Sequence, residues 1–135
     1  MNIVETFFKD CDLDKIAYII DDQSITYRQL QKKTNQYRAV YKAHGISNNA
    51  LILLPASFDL IASILACWSL GIATYHPSVT LPSKTINILY KNANTTHIIT
   101  NTELSTKAQA SCDLINIDTL ELDHEDTEYT DQHID

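Results

Sequence analysis

From Leu51 to Ala73 the chain carries a single formal charge, Asp59, and an apolar run of that length must be buried somewhere. A membrane span is one way to bury it. Against a span, Pro55 interrupts the run and no Lys/Arg cluster flanks either end to set a topology. Asp59, near the middle, would add about 2.5–3.5 kcal/mol on insertion scales. The run divides more naturally in two. "LILLP" is short and apolar throughout, as a strand buried on both faces requires. Ser57 can then cap a helix whose apolar residues Leu60, Ile61, Ile64, Leu65 and Trp68 recur at helical spacing. Gly71 suits the left-handed position just after that helix, and "IATYH" resumes an extended run before a Pro-marked loop that ends near Pro82. The stretch is expected to be a βαβ unit.

The flanking sequence follows the same logic. Residues 2–9 can form a short helix with Val4, Phe7 and Phe8 on one side, and "IAYII" and "SIT" flank "DDQ" as the strands of a hairpin. Thr26 and Gln29 have the spacing of a capping box, and they open a helix on which Tyr27, Leu30, Tyr37 and Tyr41 share a face until Gly45 closes it. Beyond the βαβ unit, Ile86, Leu89, Tyr90 and Ala93 mark another helix with Asn94 as its stop. "THIIT" reads as a third strand, "TELSTKAQA" as a short helix capped by Thr102, and "DLINI" as a fourth strand. Strands alternating with helices at this spacing predict an α/β fold, a layered parallel-sheet scaffold of right-handed βαβ units with an N-terminal helix and hairpin. Residues 1–117 are assigned to this partial α/β subdomain and 118–135 to an acidic tail or linker. A chain of 135 residues is the size of one domain.

The net charge of −7 is unevenly placed. Residues 1–112 carry 8 acidic and 10 basic side chains, whereas residues 113–135 carry 9 acidic ones and neither Lys nor Arg. A near-neutral body with an acidic end offers no basic patch for a phosphate backbone, so no nucleic-acid partner is expected, and the tail reads as a solvated linker. Cys11, Cys67 and Cys112 are widely spaced, odd in number and without a CxxC pair, which fits a reduced, cytoplasmic setting. "MNIVETFFKDCD" lacks the basic start and apolar core of a secretory signal.

Candidate chemistry is sparse. With Gly45 and Gly71 as the only glycines, neither GxGxxG nor GxxxxGK[ST] can be written in this chain. His44, His76, His97, His124 and His133 form no HxxxH or HExxH pair, so no metal site is expected. His76 follows a predicted strand, where open α/β sheets place ligand-binding residues, but a loop histidine is ordinarily only solvated. Cys67 lies on a nearly all-apolar helix as a small core residue, and Asp59 in that helix's first turn favours its positive dipole end. No catalytic, cofactor-binding or metal-ligating residue is assigned.

The order of features is more informative than any one of them. "DKIAYIIDDQSITYRQL" resembles the opening of adenylate-forming enzymes through Asp14, Lys15, Ala17, Thr26, Tyr27 and Leu30. Residues 51–100 run without a gap beside that family's next pattern through Leu53, Leu54, Pro55, Ser57, Ala66, Gly71, Pro82, Ile86 and Leu89. The superfamily includes acyl-CoA synthetases, amino-acid adenylation domains and luciferases. Thr26, Tyr27, Leu30, Pro55, Gly71 and Pro82 are its structural signature positions here. The departures are His76 where the family usually has proline, Ser78 at a frequent aspartate and Ala56 at a common asparagine.

The resemblance implies the N-terminal scaffold of an ATP-dependent ligase that adenylates a carboxylic acid, with Mg²⁺, and passes it to a thiol such as coenzyme A or a carrier protein. The TSGTTG-type phosphate loop, the adenylate-holding residues and the C-terminal lysine of that family match no position here. The fragment is therefore expected to need no cofactor and to be inert, ATP and Mg²⁺ belonging to the full-length parent. The alternative is a stand-alone, non-catalytic α/β interaction module derived from the same fold. A receiver-like domain is disfavoured because "LILLP", "TYH" and "HIIT" end without the acids that would hold Mg²⁺. Exposed apolar surface is expected, inviting a homodimer or cover by the rest of the parent enzyme.

Overall fold

The computed structural model describes residues 2–108 and 113–130. α1 (Ile3–Asp10) leads into a hairpin of β1 (Ile16–Ile20) and β2 (Gln23–Thr26), followed by α2 (Tyr27–Ala43). The hairpin turns on Asp21 and Asp22, both left-handed at φ 51° and 63°, with Ile20 paired to Gln23. That is the two-residue primed turn whose twist matches the flanking strands. Thr26 then ends β2 and caps α2: its hydroxyl accepts from the Gln29 amide at 3.1 Å while the Gln29 side chain accepts from the Thr26 amide at 2.8 Å.

β3 (Asn49–Leu53), α3 (Phe58–Ser69) and β4 (Ala73–Tyr75) form the expected βαβ unit, with α4 (Ser83–Asn92), β5 (His97–Thr100) and β6 (Asp113–Asn116) after it. All three strand pairs are parallel, in the order β4-β3-β5-β6. Ser57 caps α3 through its hydroxyl and the Leu60 amide at 3.1 Å, and Gly71 ends it at φ 76°. No helix among the described residues is long and apolar enough to cross a membrane.

The sheet is covered on both faces. Ala50, Ile52, Ile99 and Ile115 face α1, α2 and α3, and Leu51, Leu53 and Ile98 face Ile86 of α4. Burial on both sides is why these strands read as continuous apolar runs.

Four expectations are corrected. The buried face of α3 is made of Ala62, Ser63, Ala66, Cys67 and Ser69, while Leu60, Ile61, Ile64 and Leu65 are only half-buried and Trp68 is exposed. Small side chains let α3 approach both the sheet and α2, so the bulky ones are turned to the flanks. Phe7 is exposed, its ring set edge-on to Phe8 and Tyr27, leaving Val4 and Phe8 as the buried residues of α1. Over the described residues 102–108, the helix expected across "TELSTKAQA" is a single 3₁₀ turn, Ser105–Lys107. It is preceded by Asn101, not Thr102, accepting from the Leu104 amide at 2.8 Å. Residues 109–112, Cys112 among them, lie outside the described residues. Finally, the acidic segment is not free in solvent over residues 120–130; it runs along α2, with Leu120, Leu122 and Tyr129 packed on the larger core.

Large apolar side chains stand exposed on several elements: Ile3 on α1, Ile16 and Ile19 on the hairpin, Trp68 and Tyr75 by β4, and Leu114 on β6.

Candidate functional site

Open parallel sheets bind ligands where neighbouring strands connect in opposite directions. Here that point lies between the carboxyl ends of β3 and β5. β3 leads through α3 to β4 on one side, and β5 leads to β6 on the other. The polar groups at this edge satisfy one another. Thr100 donates its hydroxyl to the Leu53 carbonyl at 2.9 Å, the Thr102 amide donates to Asp118 Oδ2 at 2.9 Å, and Asn116 Nδ2 donates to Thr102 Oγ1 at 3.0 Å. Lys107 Nζ donates to the carbonyls of Val79 and of Leu81, tying the loop before α4 to the β5–β6 crossover.

The six positions expected from the sequence to be structural signatures fall at caps, turns and one buried face. Thr26 caps α2 and Leu30 is buried beneath it; Tyr27 begins α2 against Phe7. Pro55 is exposed after β3, Gly71 supplies the positive φ after α3, and Pro82 occupies the N-cap of α4. Thr26, Tyr27 and Leu30 thus share the start of α2, whereas Pro55, Gly71 and Pro82 lie at the ends of other elements.

Among the described histidines, His44 and His97 approach each other, and His76 stands elsewhere. His97 is buried at the start of β5, its Nδ1 2.8 Å from Thr96 Oγ1 and its Nε2 3.8 Å from Asp113, with the His44 ring edge-on at 6.4 Å. His76 is exposed beyond β4, and His133 lies outside the described residues. Among the described residues, no three His, Cys, Asp or Glu side chains gather as a metal-holding group.

A buried polar constellation joins α2 to α3. Tyr37 and Tyr41 stack with ring centroids 5.5 Å apart. The Tyr37 hydroxyl donates to Asp59 Oδ1 at 2.5 Å, and the Tyr41 hydroxyl pairs with Ser63 Oγ at 2.7 Å. Burial pushes both phenols above their ordinary range, with Asp59 adding to the effect on Tyr37. Beside them, burial pushes the Cys67 thiol up to about 12. Alkylation mapped by mass spectrometry at pH 8 should therefore leave Cys67 unmodified in the native protein and label it in denaturant; native-state labelling would mean that α3 opens readily.

Arg38, only 1% exposed, is the charged residue that sequence reasoning missed. Its guanidinium donates from Nε to the Asp126 carbonyl at 3.2 Å and from Nη2 to the Glu128 carbonyl at 3.0 Å. Nη2 also lies 3.5 Å from the Asp126 carboxylate, and Nη1 donates to Ser69 Oγ. The Tyr129 ring stacks on it at 3.9 Å. The available signal was positional: Arg38 falls on the face of α2 shared by Leu30, Thr34 and Tyr41, where a charge requires a partner.

Comparison with known proteins accounts for this architecture. The AMP-binding enzyme family matches residues 7–134. Tyrocidine synthase 2 of Brevibacillus parabrevis is 29% identical over 108 residues, 78% of this chain and 3% of that protein. Bacitracin synthase 1 of Bacillus licheniformis is 30% identical over 108 residues, 78% of this chain and 2% of that one. O-succinylbenzoate coenzyme A synthetase (MenE) from Bacillus subtilis, solved with AMP, superposes with a TM-score of 0.84 at 17% identity, covering 96% of this chain and 35% of its own. The Klebsiella oxytoca NpsA N-terminal subdomain, solved with anthranilyl-AMSN, gives 0.81 at 19% identity, covering 94% and 33%. The chain thus spans a few per cent of the synthases and about a third of the solved structures it matches. By its sequence and by a fold shared with the N-terminal subdomain of adenylate-forming enzymes, this chain belongs to the AMP-binding enzyme family.

Proposed function

We propose that these residues are the N-terminal scaffold of an ATP-dependent acid–thiol ligase and contribute no reacting group. The ligase would activate a carboxylic acid as its adenylate and transfer it to a thiol, in the manner of acyl-CoA synthetases. The observation that carries this reading is a full-length match of a small part: nearly all of this chain superposes on about a third of MenE, which is solved with AMP and with ATP and magnesium. The two-glycine composition and the self-paired carboxyl edge of the sheet support placing the nucleotide contacts elsewhere in the ligase. We take the exposed side chains Trp68, Tyr75 and Leu114 to be covered by the rest of that enzyme or by a second copy, in the cytoplasm.

Isothermal titration of the 135-residue chain with ATP and Mg²⁺ should give no heat at millimolar nucleotide. Saturable binding would overturn the scaffold reading. The second reading is a stand-alone, non-catalytic interaction module derived from the same fold. A reading frame continuing into a TSGTTG-type loop would sink it, and a stop codon directly after Asp135 would favour it.

A further inference from the structure

Residues 120–130 have no helix or strand, yet their main chain is gripped at intervals. The carbonyls of Leu122, Asp126, Glu128 and Thr130 accept from Gln36 Nε2 at 2.8 Å, from Arg38 Nε at 3.2 Å, from Arg38 Nη2 at 3.0 Å and from Asn2 Nδ2 at 2.7 Å. The Asp126 amide donates to the Asn35 carbonyl at 3.0 Å. These positions are separated by even numbers of residues, the spacing at which an extended chain returns its carbonyls to one edge. Side chains of α2 and the α1 cap thus take the place of a neighbouring strand. Asn2 is fixed for the task by a second bond, from the same Nδ2 to the Ser69 carbonyl at 2.7 Å, and Arg38 by Ser69 Oγ.

We propose that the groove lined by Asn2, Asn35, Gln36 and Arg38 is a main-chain-reading interaction surface whose occupant is this chain's own residues 122–130, held as a latch that opens separately from the sheet. Two features give the groove its preference for an acidic segment. The Asp126 carboxylate is the charge nearest the buried guanidinium, and Lys42 approaches the same carboxylate at 3.6 Å. The planar fork matters as much as its charge, because it reaches carbonyls two residues apart while stacking on Tyr129. Taken with the scaffold reading above, on which this consequence alone rests, the latch fixes beside α1 the point from which a longer ligase chain continues past residue 130.

The test is limited digestion of the full chain with a Glu-specific protease, which reports opening at Glu121, Glu125 and Glu128, alongside amide exchange at Ile98 and Ile99. Arg38→Met should raise cleavage in the segment at least about tenfold, with the β5 amides still protected. Arg38→Lys should fail to restore resistance, since charge without the fork cannot bridge both carbonyls. Gln36→Ala, at a half-buried position of α2, should free the Leu122 end with a rise of about threefold. Unchanged cleavage in Arg38→Met, or full rescue by lysine, would overturn the proposal. So would loss of β5 protection in step with the segment in both Arg38→Met and Gln36→Ala. None of these outcomes depends on ATP binding, so the latch and the scaffold reading fail separately.

Discussion

Tyr41→Ala should lower the unfolding free energy by about 3–5 kcal/mol, a large share of the roughly 5–15 kcal/mol that holds a domain of this size together. Tyr41 is fully buried, stacks on Tyr37 and shares a hydrogen bond with Ser63, itself fully buried on α3. Truncation removes the ring from the α2–α3 contact and leaves Ser63 facing the resulting cavity. Tyr41→Phe separates the two contributions: it keeps the ring and loses only the hydroxyl, so it should cost about 1–2 kcal/mol. Urea unfolding should show a lower midpoint with an unchanged slope for both variants. A Phe variant as damaged as the Ala variant would place the stabilisation in the hydrogen bond; an Ala variant within about 1 kcal/mol of the parent would show that the helices repack around the loss.

How legible that contact was illustrates how the sequence encodes this fold. The spacing of Leu30, Tyr37 and Tyr41 marks a buried stripe, and the capping box, Ser57 and the glycine after α3 mark where helices start and stop. Those are local signals, and the structure follows them. The partners were not legible: nothing in the spacing of α2 says that Asp59 and Ser63 of α3 will meet its two tyrosines. The bulk of Leu60, Ile61, Ile64 and Leu65 marked the flanks of the α3 contact rather than its most buried line, because the closest approach of a helix to a sheet and a second helix selects for small residues. The acidic segment misled for another reason. Its binding is mostly through main-chain carbonyls, which every residue has, so its composition reads as that of a solvated linker even where it is docked. Only Arg38, a charge among apolar positions of α2, carried a trace of it. The candidate site shares this limit: the self-paired carboxyl edge depends on Asp118 and Asn116 returning to Thr102.

Raising the pH should unfold the protein cooperatively between about pH 9 and 12, and the same α2–α3 contact should decide where. Burial raises Cys67 from 9.0 to about 12 and raises Tyr41 well above 10.0, and Tyr37 is raised by burial and by its bond to Asp59. Tyr18 and Tyr129 are likewise raised from 10.0 to about 12, burial being the first cause in each. The native state therefore keeps protons that the unfolded chain releases. The stabilisation is complete below the unfolded values near 9–10 and is lost as pH climbs toward the folded ones, each retained proton steepening the fall by about 1.4 kcal/mol per pH unit. Tyr37 adds to this asymmetry, since its ionisation would set a phenolate 2.5 Å from the Asp59 carboxylate. Followed by ultraviolet absorbance and far-ultraviolet circular dichroism together, tyrosinate should form in two stages, the second coinciding with loss of helix signal. Tyr41→Phe removes one proton difference and should make the alkaline transition shallower, even though its stability at pH 7 is lower. A single tyrosinate stage near pH 10 with the helix signal intact would show that the phenols between α2 and α3 are open to solvent, and the packing described for that contact would have to be abandoned.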